Sequence, residues 1–235
     1  MKISIIVPVF NEEKTIIQIL KNIKKIESKV QGDFEIIVIN DGSTDNTINL
    51  LNENKNIYEK LININKNQGK GNAINEGFRN STGDIIIIQD ADLEYNPKDV
   101  LKLIKPIVNS SYKVVYGSRI LGKKYFENLE NFSHWIRILG NIFLTFFSNI
   151  INNQNLTDAH TCYKVFDSKT FKSIKLRENN FNFCPEITTK ISNKKIEIYE
   201  LPISYNGREY KDGKKIKFTD GLKAMTCIIK YKFFM

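Results

Sequence analysis

The chain has 235 residues, 41% of them hydrophobic and 26% charged, which is enough to bury a sizeable core and excludes a low-complexity or disordered class. A net charge of +9 favours anionic partners such as nucleic acid, phosphorylated substrates or an acidic membrane surface, without choosing among them. No recognisable nucleic-acid module accompanies the charge, so no nucleic-acid partner is expected.

The first half of the chain predicts a strand-then-helix rhythm. Lys2 to Phe10 reads as a strand and Glu12 to Lys25 as a helix, with Ile16, Ile19, Leu20, Ile23 and Ile26 at helical spacing. Glu35 to Asn40 is the second strand, and Asp41-Gly42-Ser43-Thr44-Asp45 supplies a turn and N-cap for a helix to about Lys55. Lys60 to Ile64 is a third strand, followed by the turn Asn67-Gln68-Gly69-Lys70-Gly71 and a helix to Asn80. Asp84 to Gln89 is the fourth strand, a helix starts near Pro97, and Tyr112 to Gly117 is the fifth strand. This alternation predicts an α/β fold with a mainly parallel sheet and right-handed crossovers.

The rhythm then changes. Phe132 to Ile151 predicts one or two helices, in which Phe143, Leu144, Phe146, Phe147, Ile150 and Ile151 fit equally a core and a lipid-facing surface. Lys195 to Leu201 is a further strand, Tyr205 to Lys217 a basic loop, and Phe218 to Phe234 a helix whose mixed lysines and aromatics suit a bilayer interface. No run reaches the ~18 apolar residues of a spanning helix. The opening Ile3-Ser4-Ile5-Ile6-Val7 reads as a core strand rather than a signal peptide. Cys162, Cys184 and Cys227 lack metal-site spacing and read as reduced, structural thiols of a cytosolic protein.

The strongest chemical signal is Ile85-Ile86-Ile87-Ile88-Gln89-Asp90-Ala91-Asp92, an apolar strand that delivers two carboxylates at its end. Four isoleucines fit a strand covered on both faces, and ligands of open α/β sheets bind beyond such strand ends. Hard cations such as Mg²⁺ or Mn²⁺ take oxygen ligands, commonly one or two carboxylates together with substrate phosphates. A nucleoside diphosphate is therefore the group to look for. A dinucleotide-binding enzyme would carry G-x-G-x-x-G after the first strand, where this chain has Phe10-Asn11-Glu12-Glu13.

Several segments together resemble family 2 glycosyltransferases with the GT-A fold. They are Val7-Pro8-Val9-Phe10-Asn11-Glu12-Glu13, Asn40-Asp41-Gly42-Ser43-Thr44-Asp45, Asn67 to Gly71, Asp90-Ala91-Asp92-Leu93-Glu94 and Gly117-Ser118-Arg119. Thr157 to Lys164, Phe183-Cys184-Pro185-Glu186 and Tyr205 to Arg208 with Gly213 to Ile216 resemble the branch that glycosylates polyprenyl phosphates, such as dolichyl-phosphate mannose or glucose synthases. The resemblance implies a single domain over residues 1–235. Residues 1–120 would bind the nucleotide sugar, and residues 121–235 the acceptor, with interfacial helices.

On the donor side, the resemblance implies contacts from Pro8, Phe10, Glu12, Ile39, Asp41, Lys70, Asp90, Ala91, Arg208 and Lys214. Asp90 and Asp92, with Glu94 as a third ligand, would hold Mg²⁺ or Mn²⁺ against the diphosphate. Glu12 equally fits a role at the positive helix N-terminus, Asp41 a turn, and Lys70 a solvated turn. On the acceptor side Arg119, Arg137 and Asn141 match positions for the acceptor phosphate, and Asp158 and Glu186 match positions near the site. Asp92, Arg119, Asp158 and Glu186 form the expected catalytic set.

The implied activity is inverting transfer of a hexose from a UDP- or GDP-sugar to a polyprenyl phosphate, by a cytoplasmic protein attached peripherally to the cytoplasmic face of a membrane. The first alternative is transfer to a saccharide or other soluble hydroxyl in cell-surface polysaccharide synthesis, with Asp158 or Glu186 as base. The alternative of another class is a nucleotide- or nucleic-acid-binding protein without catalysis.

Overall fold

The computed structural model describes residues 1–30, 32–122, 132–208 and 218–235, with the side chains of 132–134 and 218 excepted. Lys214 and most of the basic loop lie outside the described residues. In chain order the elements are β1 (Lys2–Val9), α1 (Ile16–Glu27), β2 (Asp33–Asp41), α2 (Thr47–Glu53), β3 (Lys60–Ile64), α3 (Lys70–Arg79) and β4 (Ile85–Ile88). A 3-10 turn at Pro97–Asp99 leads into α4 (Val100–Leu103) and α5 (Lys105–Val108), then β5 (Val114–Ser118). The rest comprises α6 (Phe132–Asn152), β6 (Lys164–Asp167), α7 (Ser168–Lys172), α8 (Phe183–Asn193), β7 (Ile198–Pro202) and α9 (Phe218–Phe233).

Seven strands form one sheet in the order β3-β2-β1-β4-β6-β5-β7. All described pairings are parallel except those of β6, which runs against both β4 and β5. The four isoleucines of β4 show why the run is continuously apolar. Ile85 and Ile87 enter the core layer shared with α1, whereas Ile86 and Ile88 enter the opposite layer with α3 and α8. Both faces are covered, so the pleat leaves no polar side to the strand.

The departures from the sequence reading have local causes. The first helix starts at Ile16, because Glu12 and Glu13 are held in a loop: the Glu12 N–H donates to Thr47 Oγ1 (3.0 Å) and the Glu13 carboxylate accepts from Asn46 N–H (2.9 Å). The segment after Pro97 is broken into three short turns rather than one helix, with Pro106 at the start of α5. Phe132 to Asn152 is one helix. Strand β6 and helices α7 and α8 have no counterpart among the elements expected from the sequence.

Glu35 ties β1, β2 and the turn before β4 together at the amino-terminal end of the parallel strands. Its buried carboxylate accepts from Ser4 Oγ (2.6 Å), Thr82 N–H (2.8 Å), Thr82 Oγ1 (2.9 Å) and Lys2 Nζ (3.0 Å). Burial opposes ionisation, yet these donors outweigh it and hold the pKa at about 2, below the ordinary 4.5. A depressed acid contributes stability above its unfolded pKa and loses it as pH falls towards the folded value. Glu35→Gln is therefore expected to cost about 2 kcal/mol at pH 7, the range for charge-assisted hydrogen bonds. In urea unfolding that gap should close between pH 4.5 and about 2. A pH-independent gap would contradict this account.

Candidate active site

The carboxyl ends of β1, β2, β4 and β5 open into a cleft of about 320 Å³, closed on another side by Tyr205 and Arg208. Pro8 lies at the end of β1, Phe10 and Glu12 follow it, Asp41 ends β2, Lys70 begins α3, Asp90, Ala91 and Asp92 follow β4, and Arg119 follows β5; all of them line the cleft.

Asp41 shapes the glycine-rich turn. Its two carboxylate oxygens accept from the N–H groups of Gln68 (2.9 Å) and Gly69 (2.8 Å). Gly69 has φ +98°, and a Cβ there would overlap Asn179 and Asn180, so only glycine fits. The turn delivers Lys70 to Asp90, Nζ to Oδ1 2.5 Å. Burial disfavours the ammonium, but Asp90 more than compensates and holds its pKa well above the ordinary range.

After β4 the chain turns sharply. Leu93 has φ +63°, and the Asp92 carboxylate accepts the Glu94 N–H (3.1 Å), which sends the Glu94 side chain back toward Tyr205 and Arg208. Glu94 accepts from Tyr205 Oη (2.8 Å) and from the Arg208 N–H (2.7 Å). The Arg208 guanidinium donates to Glu12 through Nη1 (3.0 Å) and Nη2 (3.1 Å), and Nη2 also reaches Asp92 Oδ2 (2.9 Å). Burial, with the neighbouring charges of Asp90 and Glu94, pushes the Asp92 carboxyl up to about 7 against the pull of Arg208 and Lys70. This cluster therefore gains from added positive charge.

Asp158 and Arg119 form the other wall. Asp158 is 0% exposed and accepts from Arg119 N–H (3.0 Å), Nε (2.7 Å) and Nη2 (2.8 Å) and from Asn141 Nδ2 (3.1 Å). Burial would raise its pKa; Arg119 reverses that and holds it below the ordinary value. Arg119 also lies over the Tyr205 ring, 5.2 Å from its centroid.

Most of the described residues singled out in the sequence line the cleft; Asp158 and Asn141 sit behind Arg119 rather than in the lining, and Ile39, Glu186 and Arg137 do not reach it. Ile39 is fully buried in the core layer beside Gly77, so its side chain has no access to the cleft. Glu186 is also fully buried, and its carboxylate accepts the N–H groups of Arg177 (2.8 Å) and Glu178 (2.8 Å) and pairs with Lys190 (2.5 Å). It clamps the segment preceding Asn180 and Phe181, which do line the cleft, and does not itself reach it. Glu94 lines the cleft with one oxygen on Tyr205 and the other on the Arg208 N–H, so service as a third metal ligand would compete with its hold on that loop. Arg137 is half-buried on α6, one turn before Asn141, and does not line the cleft.

Tyr95, His160 and Cys162 also line the cleft; the sequence gives Tyr95 and His160 no individual role and reads Cys162 as a structural thiol. Burial lowers the His160 pKa to about 4, so its imidazole is neutral at physiological pH. Tyr95 packs edge-on against Tyr163 (5.4 Å) and Tyr205 (5.1 Å), and the signal available for it was its place directly after Glu94.

Among the described residues no group of three or more His, Cys, Asp or Glu is set to hold a metal ion. Asp90 and Asp92 nonetheless fit one, because they are hard oxygen donors in a cluster whose electrostatics favour a cation. Mg²⁺ in particular is held by one or two carboxylates and substrate phosphates rather than by an all-protein cage.

Comparison with known proteins gives the family and the fold. The family model described as glycosyl transferase family 2 matches residues 4–175. The chain is 29% identical over 249 residues to the UDP-N-acetylglucosamine–dolichyl-phosphate N-acetylglucosaminyltransferase of Methanococcus voltae, covering 98% of this chain and 96% of that one. It is 29% identical over 255 residues to a dolichyl-phosphate beta-glucosyltransferase of Trichomonas vaginalis, covering 99% and 73%. Glucosyl-3-phosphoglycerate synthase of Mycobacterium tuberculosis, crystallised with Mg²⁺ and UDP, superposes with a TM-score of 0.73 at 14% identity, over 98% of this chain and 79% of that one. The likeness to that structure is one of fold, and the fold is GT-A-like.

Proposed function

Because the chain belongs to glycosyl transferase family 2, we propose that it transfers one hexose, with inversion, from a UDP- or GDP-sugar to a polyprenyl phosphate. The observation that carries this reading is the state of the carboxylates on the acceptor side. Asp158 and Glu186, the two acids that the resemblance places as a base toward a sugar hydroxyl, are fully buried and engaged by donors of the chain itself. A hydroxyl acceptor needs a base, whereas a phosphate monoester with a second pKa of about 6 is already largely dianionic at neutral pH. Such an acceptor requires cations, and Arg119 supplies one in the cleft.

On the donor side, Asp90 and Asp92 would hold Mg²⁺ or Mn²⁺, which when bound neutralises charge on the departing nucleoside diphosphate. Arg208 and Lys70 add fixed positive charge beside the same group. Glu94 and Tyr205 hold the Arg208 segment in place, and Asp41 holds the turn that aims Lys70. Direct attack by the acceptor oxygen needs no enzyme nucleophile.

The test is a donor screen with Mn²⁺ or Mg²⁺ and a short polyprenyl phosphate, with product counted in an organic extract. Labelled hexose entering the organic phase supports the reading. Transfer to a soluble saccharide alone would replace it with the hydroxyl-acceptor alternative.

A membrane surface completes the proposal. Helix α6 is turned inside out: Thr145, Ser148 and Asn152 are buried against the protein, while Leu139, Phe143, Phe146 and Ile150, spaced along one face, are each more than half exposed. Helix α9 packs beside it and exposes Leu222 and Phe233, together with Lys223 and Lys230. No helix among the described residues is long and apolar enough to cross a membrane. Attachment would therefore be peripheral, through shallow apolar insertion and attraction of basic charge to anionic lipid at the cytoplasmic face. The protein is expected to sediment with anionic liposomes at low salt and to be partly released at high salt. Phe146→Glu, at an exposed position, is expected to weaken binding by about tenfold without unfolding. Wild type that stays in the supernatant with anionic and neutral liposomes alike would refute peripheral attachment.

A further inference from the structure

Asp92 already has a cationic partner of the chain's own. Its Oδ2 takes Nη2 of Arg208 (2.9 Å) and its Oδ1 takes the Glu94 N–H (3.1 Å), so a cation approaching Oδ2 competes with the guanidinium for this carboxylate. The guanidinium is not held by Asp92 alone. Glu12, only 8% exposed, grips it with both oxygens through Nη1 (3.0 Å) and Nη2 (3.1 Å), a fork that persists if the single bond to Asp92 is released. The backbone is anchored separately, by Arg208 N–H on Glu94 (2.7 Å), Asn206 N–H on the Glu94 carbonyl (2.9 Å) and Tyr205 Oη on Glu94 (2.8 Å). Release of Asp92 is thus a small side-chain event that leaves the segment where it is.

We propose that Arg208 and the divalent cation are alternative partners of Asp92, and that Glu12 is the positioning residue that keeps the arginine beside the site when the cation takes the carboxylate. This rests on the donor-diphosphate reading above. The cation alone must compete with the guanidinium, and its affinity is therefore low. A diphosphate offers the displaced guanidinium a new anionic partner, so metal and nucleotide each strengthen the other's binding. The sequence places Glu12 among the donor contacts or at a helix N-terminus, and the bidentate fork gives it Arg208 as a partner.

The test measures Mn²⁺ binding to the whole chain by electron paramagnetic resonance of free Mn²⁺, without nucleotide and then with UDP or GDP. Arg208→Ala is expected to bind Mn²⁺ alone about tenfold more tightly than wild type, and Asp92→Asn to lose that binding. Removing a positive charge would by itself raise affinity, so the deciding protein is Glu12→Gln/Arg208→Ala, whose net charge equals that of wild type. Exchange at Asp92 predicts that this double variant still binds Mn²⁺ about fivefold or more tighter, and that nucleotide enhances its Mn²⁺ affinity less than it does for wild type. Equal Mn²⁺ affinity of double variant and wild type, or undetectable binding by both, overturns the exchange.

Arg208→Lys provides a second measurement should the double variant fold poorly. A lysine cannot bridge Glu12 and Asp92 as a fork, so at unchanged charge its Mn²⁺ affinity should exceed that of wild type, and an unchanged value counts against the exchange. Hexose transfer to polyprenyl phosphate by wild type with equal Mn²⁺ affinities would overturn the exchange and leave the transferase reading standing. Tighter Mn²⁺ binding in the variants with no transfer by wild type would do the reverse.

Discussion

Asp92→Asn is expected to fold like the wild type and to lose roughly 100- to 1000-fold in turnover, or about 3 to 4 kcal/mol of transition-state stabilisation. Folding should survive because Asn keeps the shape of Asp and still offers an oxygen to the Glu94 N–H, the bond that closes the turn at Leu93. Activity should fall because an amide is a poor ligand for a hard cation and leaves developing diphosphate charge less neutralised. The pH dependence adds a signature. Burial, Asp90 and Glu94 lift the Asp92 pKa to about 7, and the protonated acid does not bind a cation. At limiting metal, kcat/KM of the wild type should therefore rise with pH through about 7 and level off above it. Metal-independent transfer by wild type, or full activity of Asp92→Asn, would remove Asp92 from the metal site.

Arg119 carries the second large effect, and the structure alters how it must be tested. Truncation to Ala would remove the cation proposed for the acceptor phosphate. It would also strip the fully buried Asp158 of its cationic partner and two guanidinium donors, leaving it the residue 119 N–H and Asn141. Breaking such a buried pair costs about 3 to 5 kcal/mol of stability, so loss of activity in Arg119→Ala would not by itself identify a phosphate site. Arg119→Lys keeps the charge against Asp158 and loses the planar fork. It is expected to stay folded and to lose about 2 kcal/mol, or roughly 30-fold, in kcat/KM for polyprenyl phosphate, with UDP or GDP binding unchanged by calorimetry. Equal losses for donor and acceptor would place Arg119 on the nucleotide side instead.

The parallel half of the sheet and the acids at its strand ends were legible in the amino-acid sequence, because both are written locally. A strand buried on two faces must be apolar at every position, and Ile85 to Ile88 are. A turn after such a strand must be polar, and Asp90 and Asp92 fall there. What the sequence could not display was the partner of each charge. Arg208 meets Glu12 across 196 residues and Arg119 meets Asp158 across 39, separations at which neither periodicity nor turn chemistry carries a signal. Glu94 is held by Tyr205 and the Arg208 backbone and Glu186 by the backbone of Arg177 and Glu178, and their roles follow from those contacts rather than from residue type.

Strand β6 was hidden for the same reason. It opens with Lys164, a residue that argues against a buried strand until the fold supplies the Ala159 carbonyl at 3.1 Å and the face of Tyr116 at 3.4 Å from the ring centroid. Even so, burial lowers the Lys164 pKa to about 8. The sequence by itself determined which segments are buried and where the acids emerge, since hydrophobic period and turn residues act over a few positions. Only the tertiary structure decided which acids remain available for chemistry, since neutralising a buried charge depends on groups that folding alone brings within hydrogen-bond reach.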